Sequence, residues 1–384
     1  MTNFRKWALW IGWFCLWIVF SSDGIAAEGK LKKLFLDTLD QHPDLSEFLR
    51  TRYGFALMPI LITEPAIGYG GGGGLVFIHR TPEEIARGGG VYPSITGIGG
   101  FYTETNSWAL GAGHLGIWKD GRLRYRGGVG YGSFHLRYYR EPVLPGGIRQ
   151  IGFNIVAYGF VQELVAQLGN SHFFAGASYT FGQTTVNFDA PVQFPEILTD
   201  ELDSRIGGVG AVLYFDNRDN MFTPNAGMYA GIEYIYNDNW LGSEKTFHRL
   251  FSYWLIYQKL HPQLLGALRL DFQNSSDGTP FYLRPFISLR GIPAMRYQGK
   301  TTYLVEGELR WDFTYRWSLV GFGGYGEALP INNDLFKKQS AYNVGAGFRY
   351  LIARLYGLRM GVDVARGPEE WAFYIQFGNA WFRY

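Results

Sequence analysis

Cysteine is almost absent from these 384 residues: Cys15 is the only one, and it lies inside an apolar N-terminal run. Beyond that run there is no thiol, so disulfides, thiolate nucleophiles and sulfur-bound metals have no material to form from. Histidine is scarce as well, and the seven present show no metal-ligand spacing. Ser133 and His135 sit two residues apart on one strand, with the same parity and no evident orienting acid, which is not the facing arrangement that a nucleophile and its base require. Neither catalysis nor a metal nor a cofactor is expected. The net charge is only +2, so nothing points to a nucleic-acid partner. The run Gly70 to Gly74 is followed by no Lys-Ser or Lys-Thr pair, so it is not a phosphate loop. Finally, no stretch after residue 27 is long and apolar enough to cross a bilayer as a helix.

What is present is a basic, apolar leader followed by glycine and aromatics. Arg5 and Lys6 precede an uncharged run from Trp7 to Phe20, and Ile25-Ala26-Ala27 offers a cleavage site, so residues 1–27 read as a signal peptide. An uncleaved anchor is the alternative. Residues 28–53 carry Leu31, Leu34, Phe35, Leu39, Leu45, Phe48 and Leu49 at helical spacing, interrupted at Pro43, with Asp44 and Glu47 placed to cap a second short helix. This reads as a short periplasmic segment or an internal plug. The remainder, 54–384, changes period. With 52 Gly, 26 Tyr, 30 Phe and 12 Trp the chain is too rich in glycine and aromatics for an ordinary soluble domain. Its runs of about ten residues alternate apolar with polar or small, the signature of a transmembrane β-barrel. A secreted β-helix or sandwich would not need so many aromatics on one strand face.

Counting from Phe55 gives sixteen antiparallel strands, the last running from Glu370 to Tyr384, and an even number returns both ends to one side. The segment Thr301 to Phe313 alternates most cleanly. Tyr303, Val305, Leu309, Trp311 and Phe313 fall on one face, and Glu306, Glu308, Arg310 and Asp312 on the other. A Lys or Arg facing lipid near the midplane costs about 2–4 kcal/mol, so the charged face is expected to line the lumen. Before this strand lies a long extracellular loop, 274–300, containing Leu289-Arg290-Gly291-Ile292-Pro293. Glycine and proline bend the backbone there, and the arginine brings five donors and a permanent charge. The loop is expected to fold back into the lumen.

Three features together resemble the BamA/TamA superfamily of outer-membrane barrels, the bacterial surface antigen family. Asp216-Asn217-Arg218-Asp219 followed by Pro224 and Gly227 is similar to its periplasmic turn between strands eight and nine. Leu289-Arg290-Gly291 is similar to the tip of its sixth extracellular loop. Glu308-Leu309-Arg310 and Val320-Gly321-Phe322 are similar to its strands twelve and thirteen. The resemblance covers about residues 55–384 and implies that Arg290 reaches wall carboxylates, Glu308 first, with Glu306 and Asp312 on the same face. A solvated loop arginine is the reading without it. Asp216, Arg218 and Asp219 could form a client-binding turn, but such residues more often satisfy turn backbone groups. The resemblance also implies a cell outer-membrane location and a role in inserting or moving protein or lipid there. Partners would be outer-membrane lipids and a repeat-bearing periplasmic protein or a client barrel. The alternative is a passive pore or structural surface barrel. Two departures stand out. There is no room for periplasmic repeat domains ahead of the barrel, and Phe322-Gly323-Gly324-Tyr325 has glycine where some members carry an aspartate that holds the loop arginine. Trp381 is expected to be the terminal aromatic of the last strand. Pro59 and the adjacent glycines suggest a weak seam between the first and last strands.

Overall fold

The computed structural model describes residues 34–51, 56–79, 94–139, 150–189, 202–330 and 338–381. The expected signal peptide lies outside the described residues. Sixteen strands follow one another in chain order around a single sheet, each antiparallel to the next. They are β1 (Ala56–Ile62), β2 (Gly70–Ile78), β3 (Ile95–Thr103), β4 (Trp108–Trp118), β5 (Leu123–Tyr139), β6 (Gln150–Gln167), β7 (Phe173–Phe188) and β8 (Asp203–Asp216). The second half is β9 (Gly227–Asn237), β10 (Phe247–His261), β11 (Leu264–Ser275), β12 (Thr301–Trp311), β13 (Trp317–Leu329), β14 (Gln339–Ala353), β15 (Leu358–Arg366) and β16 (Trp371–Phe377).

The period-two pattern sets which way each strand faces. On β12, Leu309 and Trp311 are 52% and 50% exposed, whereas Glu306 is 0% and Arg310 5% exposed. Apolar outside and charged inside inverts the order of a water-soluble protein and suits a wall with lipid on its outer face. The last strand is shorter than its alternation suggests. β16 stops at Phe377, because Gly378 takes the left-handed region (φ +79°) and turns the chain off the sheet.

Every neighbouring pair from β1 to β16 shares a ladder, yet among the described residues none joins β1 to β16. These two seam strands are also the shortest, at seven residues each. Pro59 lies within β1 opposite Gly73, and proline has no amide hydrogen to give a further strand. Near one end the seam is bridged by side chains: Tyr69 stacks on Phe373 with ring centroids 5.2 Å apart.

The segment before the barrel docks on the turns of β12–β15. Helix α1 (Ser46–Thr51) begins after Asp44, whose Oδ1 accepts from the Ser46 amide at 2.7 Å. Arg316, in the β12–β13 turn, donates to three carboxylates at once: Asp37 at 2.6 Å, Asp40 at 2.5 Å and Asp44 at 2.7 Å. Arg354 reinforces Asp37, and the Leu45 amide donates to the Ile352 carbonyl at 2.6 Å. The hydrogen bond from Arg316 holds the Asp40 carboxyl down to about 2, and that from Arg354 lowers Asp37. A depressed carboxylate pKa contributes stability above the ordinary value of about 4 and loses it as pH falls through the depressed one. A spin label at the exposed Leu39 is therefore expected to stay immobile at pH 5 and become mobile between about pH 4 and pH 2. Arg316→Ala should free it at neutral pH; an immobile label in that variant would show that the clamp does not hold the segment.

Candidate functional site

The segment between β11 and β12 carries buried apolar and charged residues at its two ends, so each end must find its own partners. Phe281 is fully buried and meets Tyr138 of β5, Phe153 of β6 and Phe188 of β7, with centroids 5.4, 5.5 and 6.0 Å away. Tyr282 joins Thr184 of β7 and Ser204 of β8 through its hydroxyl, at 2.8 and 2.5 Å. At the other end the Arg290 carbonyl accepts from Asn343 of β14 at 3.0 Å. β6 and β14 are eight places apart in a ring of sixteen, so a segment touching both runs across the ring.

Arg290 gathers three carboxylates. Its Nε donates to Glu306 Oε1 at 3.0 Å and its Nη1 to Asp363 Oδ2 at 2.8 Å, and Nη1 is ion-paired with Glu308 at 3.0 Å. The guanidinium lies over the Phe322 ring, 3.4 Å from its centroid, an attraction that adds to the ion pairs in a water-poor site. Gly291 takes φ +84°, and a Cβ there would sit 2.9 Å from the Gly367 amide nitrogen. Glycine is thus required for the turn that aims Arg290, and its own amide donates to the Tyr374 hydroxyl of β16 at 2.8 Å.

Glu306 is the centre of the cluster. One carboxylate oxygen accepts from Arg290 and from Asn343, both at 3.0 Å. The other accepts from the Trp381 indole at 2.5 Å and is ion-paired with Arg269 at 3.8 Å. Arg269 also binds Asp271, and Arg349 binds Asp363. Three guanidiniums thus face four carboxylates within one buried network, which is how charges can be removed from water without remaining unpaired.

Two of the expected wall partners go elsewhere. Arg310 and Asp312 bind each other at 2.9 Å, Asp312 accepts from Ser318 at 2.6 Å, and Arg310 donates to Asn225 at 2.5 Å. Each residue along a strand adds about 3.3 Å, which carries both beyond the reach of the loop arginine. The glycines of β13 leave Arg290 no aspartate there, and Asp363 of β15 supplies the acid. Asp363 and its partner Arg349 share the inner parity of their strands, which is the signal that would have placed them in the lumen.

The turn after β8 is held by its own acids. Asp216 accepts from Arg218 at 2.9 Å and from Arg124 at 2.8 Å, and Asp219 caps the amides of Asn225 and Ala226 at 2.9 and 3.2 Å. Pro224 is fully buried, and Gly227 takes φ +100° where a Cβ would lie 2.5 Å from the Asn217 carbonyl. The turn also reaches far: Asn220 donates to the Tyr356 carbonyl at 3.0 Å, and the Phe222 carbonyl accepts from the Asn379 amide at 2.7 Å. Asn379 belongs to the residues that leave the sheet after β16. They carry Trp381 into a buried cluster with Tyr257, Tyr229, Leu255 and Phe174. Trp381 is therefore not the terminal aromatic of the last strand. The tight turn at Gly378 takes it off the wall and onto Glu306.

No known family profile and no curated protein matches the sequence. Solved structures do match in shape. The BamA crystal structure from Haemophilus ducreyi lacking POTRA domains 1–3 superposes with a TM-score of 0.55 at 14% identity, over 85% of this chain and 70% of that one. CdiB from Escherichia coli gives 0.57 at 10% identity over 84% of this chain and 61% of that one. CdiB from Acinetobacter baumannii gives 0.52 at 9% identity over 85% and 59%. The chain thus spans about three fifths of the length of the two CdiB chains. At these identities what is shared is the sixteen-stranded barrel fold.

Proposed function

We propose that this chain is an outer-membrane barrel of the assembly and translocation kind, which aids insertion or movement of protein or lipid at that membrane by opening between β1 and β16. The observation that carries this reading is the seam: fifteen ladders join the sixteen strands, and none among the described residues closes the ring. A strand edge without a partner can template another strand or part to admit an apolar chain. The loop and the residues after β16 both bond to Glu306, and the turn after β8 bonds to those residues, a packed arrangement that favours this reading over an open passive pore. The anchors described for them lie on β5–β10, β12 and β14–β16, and none of these is on β1. Depletion of the protein, followed by quantitation of outer-membrane proteins and surface lipids, is expected to show specific barrels, lipoproteins or lipids lost from that membrane while their synthesis continues. An unchanged inventory would overturn the reading and return the passive barrel to first place.

A further inference from the structure

The inner face of β2–β7 is lined by glycine in register. One row runs Gly74, Gly99, Gly111, Gly130, Gly159, Gly182 through six successive strands and ends at Ile206 of β8. Part of this row is demanded by the wall, since a Cβ on Gly159 would lie 2.4 Å from the Phe181 carbonyl oxygen. Part is not. On Gly130 and Gly182 the nearest atom would be 3.6 and 3.4 Å away, ordinary contact distances. Wall crowding therefore does not account for glycine at those two positions, and they keep open the space beside them.

That space is a cavity of about 490 Å³ between the glycine floor and the crossing loop, lined by Phe134, Ile155, Thr180, Ile206, Arg249 and Tyr282 among others. Its size is that of a small-molecule site, and its lining is mostly apolar with one cation. Arg249 is the unusual member. Its Nε is sealed from solvent without a hydrogen-bond partner among the described residues, and the guanidinium's contact there is the Phe251 ring, 5.6 Å from its centroid. The neighbouring acid, Glu233, instead accepts from Ser178 at 2.9 Å. Thr180 Oγ1 is likewise buried without a partner. The arginines of the Glu306 network are each ion-paired, because a lone cation beside an apolar wall is costly. An anionic group in the cavity would meet that need, and an apolar chain would fill the rest.

We propose that this cavity binds a single-chain amphiphile with an anionic headgroup, the carboxylate on Arg249 and the chain along the glycine floor. The site is independent of the assembly reading: a barrel that assembles nothing could hold such a ligand, and an assembly factor could lack it. The test uses the full barrel in phosphatidylcholine nanodiscs, titrated with radiolabelled palmitate and, separately, with hexadecanol as its uncharged twin. Saturable palmitate binding above that of empty discs is expected, with hexadecanol weaker on the order of tenfold, the loss of one charge-assisted contact. Arg249→Met should bring palmitate down to the level of hexadecanol. Gly130→Leu should lower both ligands by filling the floor. Heat-modifiable mobility on gels verifies that each variant is a folded barrel. Equal binding of palmitate and hexadecanol by the unmodified barrel, or no saturable binding, overturns the proposal even if Arg249→Met fails to fold. Competition by inorganic phosphate as effective as that by palmitate would overturn the chain-binding half.

Discussion

Glu306→Ala is expected to release two elements at once, the crossing loop between β11 and β12 and the residues after β16. Arg290 and Trp381 both donate to this carboxylate, one to each oxygen. Alanine would leave the loop guanidinium with Asp363 and Glu308, would strand the indole, and would leave the Asn343 amide with the Arg290 carbonyl alone. Breaking a buried pair by removing one partner typically costs about 3–5 kcal/mol. The barrel should persist, because fifteen ladders are untouched, while the thermal midpoint of the lumenal packing falls. Protease cleavage within 276–300 and quenching of Trp381 fluorescence by acrylamide should rise together. Glu306→Gln keeps an acceptor for the indole and should raise loop cleavage more than tryptophan quenching. If loop and tryptophan respond independently to the alanine change, the shared carboxylate does not couple them.

A covalent lock across the seam has the other large expected effect. Tyr69→Cys with Phe373→Cys places one thiol on each side of the seam, at the two positions whose rings stack across it. The described residues contain no native cysteine to compete, since Cys15 is the only one in the chain. The oxidised pair is expected to reproduce the depletion phenotype almost completely, with normal barrel abundance, and reductant should restore function. Each single cysteine variant should behave as the parent. Full function with the bridge verified by mass spectrometry would eliminate opening between β1 and β16, while leaving open that the protein acts through some other surface.

The strand alternation made the wall readable from the chain. Glu306 and Glu308 could be assigned inward because lipid penalises charge on the opposite face. Tyr303, Leu309 and Trp311 could be assigned outward by the same argument. The cluster was only half legible. Asp363 lies 73 positions from Arg290 in the chain, and nothing local marks it as the acid that replaces the missing one on β13. Trp381 was misplaced because Phe377 and Trp381 continue an aromatic pattern, and the alternation does not register the left-handed turn at Gly378. The turn after β8 could be seen as a turn but not as a bridge to Tyr356 and Asn379. Its partners lie more than a hundred residues downstream, and only the curl of the sheet brings them near. The sealed Nε of Arg249 had no sequence signature, since a lone arginine at inner parity looks the same whether or not a carboxylate faces it.

The clamp on Arg316 also has a consequence for the order of events in folding. Its bonds join residues separated by 272 to 279 positions. Contacts of such long range form late, because the chain between them must first be organised. The segment 34–51 precedes the barrel, yet it cannot settle until β12–β15 have made the turns that receive it. During that interval Asp37, Asp40 and Asp44 stay hydrated just ahead of β1, the strand whose outer edge has no ladder. Charge beside an open edge discourages the pairing of one chain with another. The acids that later anchor the segment would, until then, act as a solubilising leader for a strand otherwise prone to aggregate.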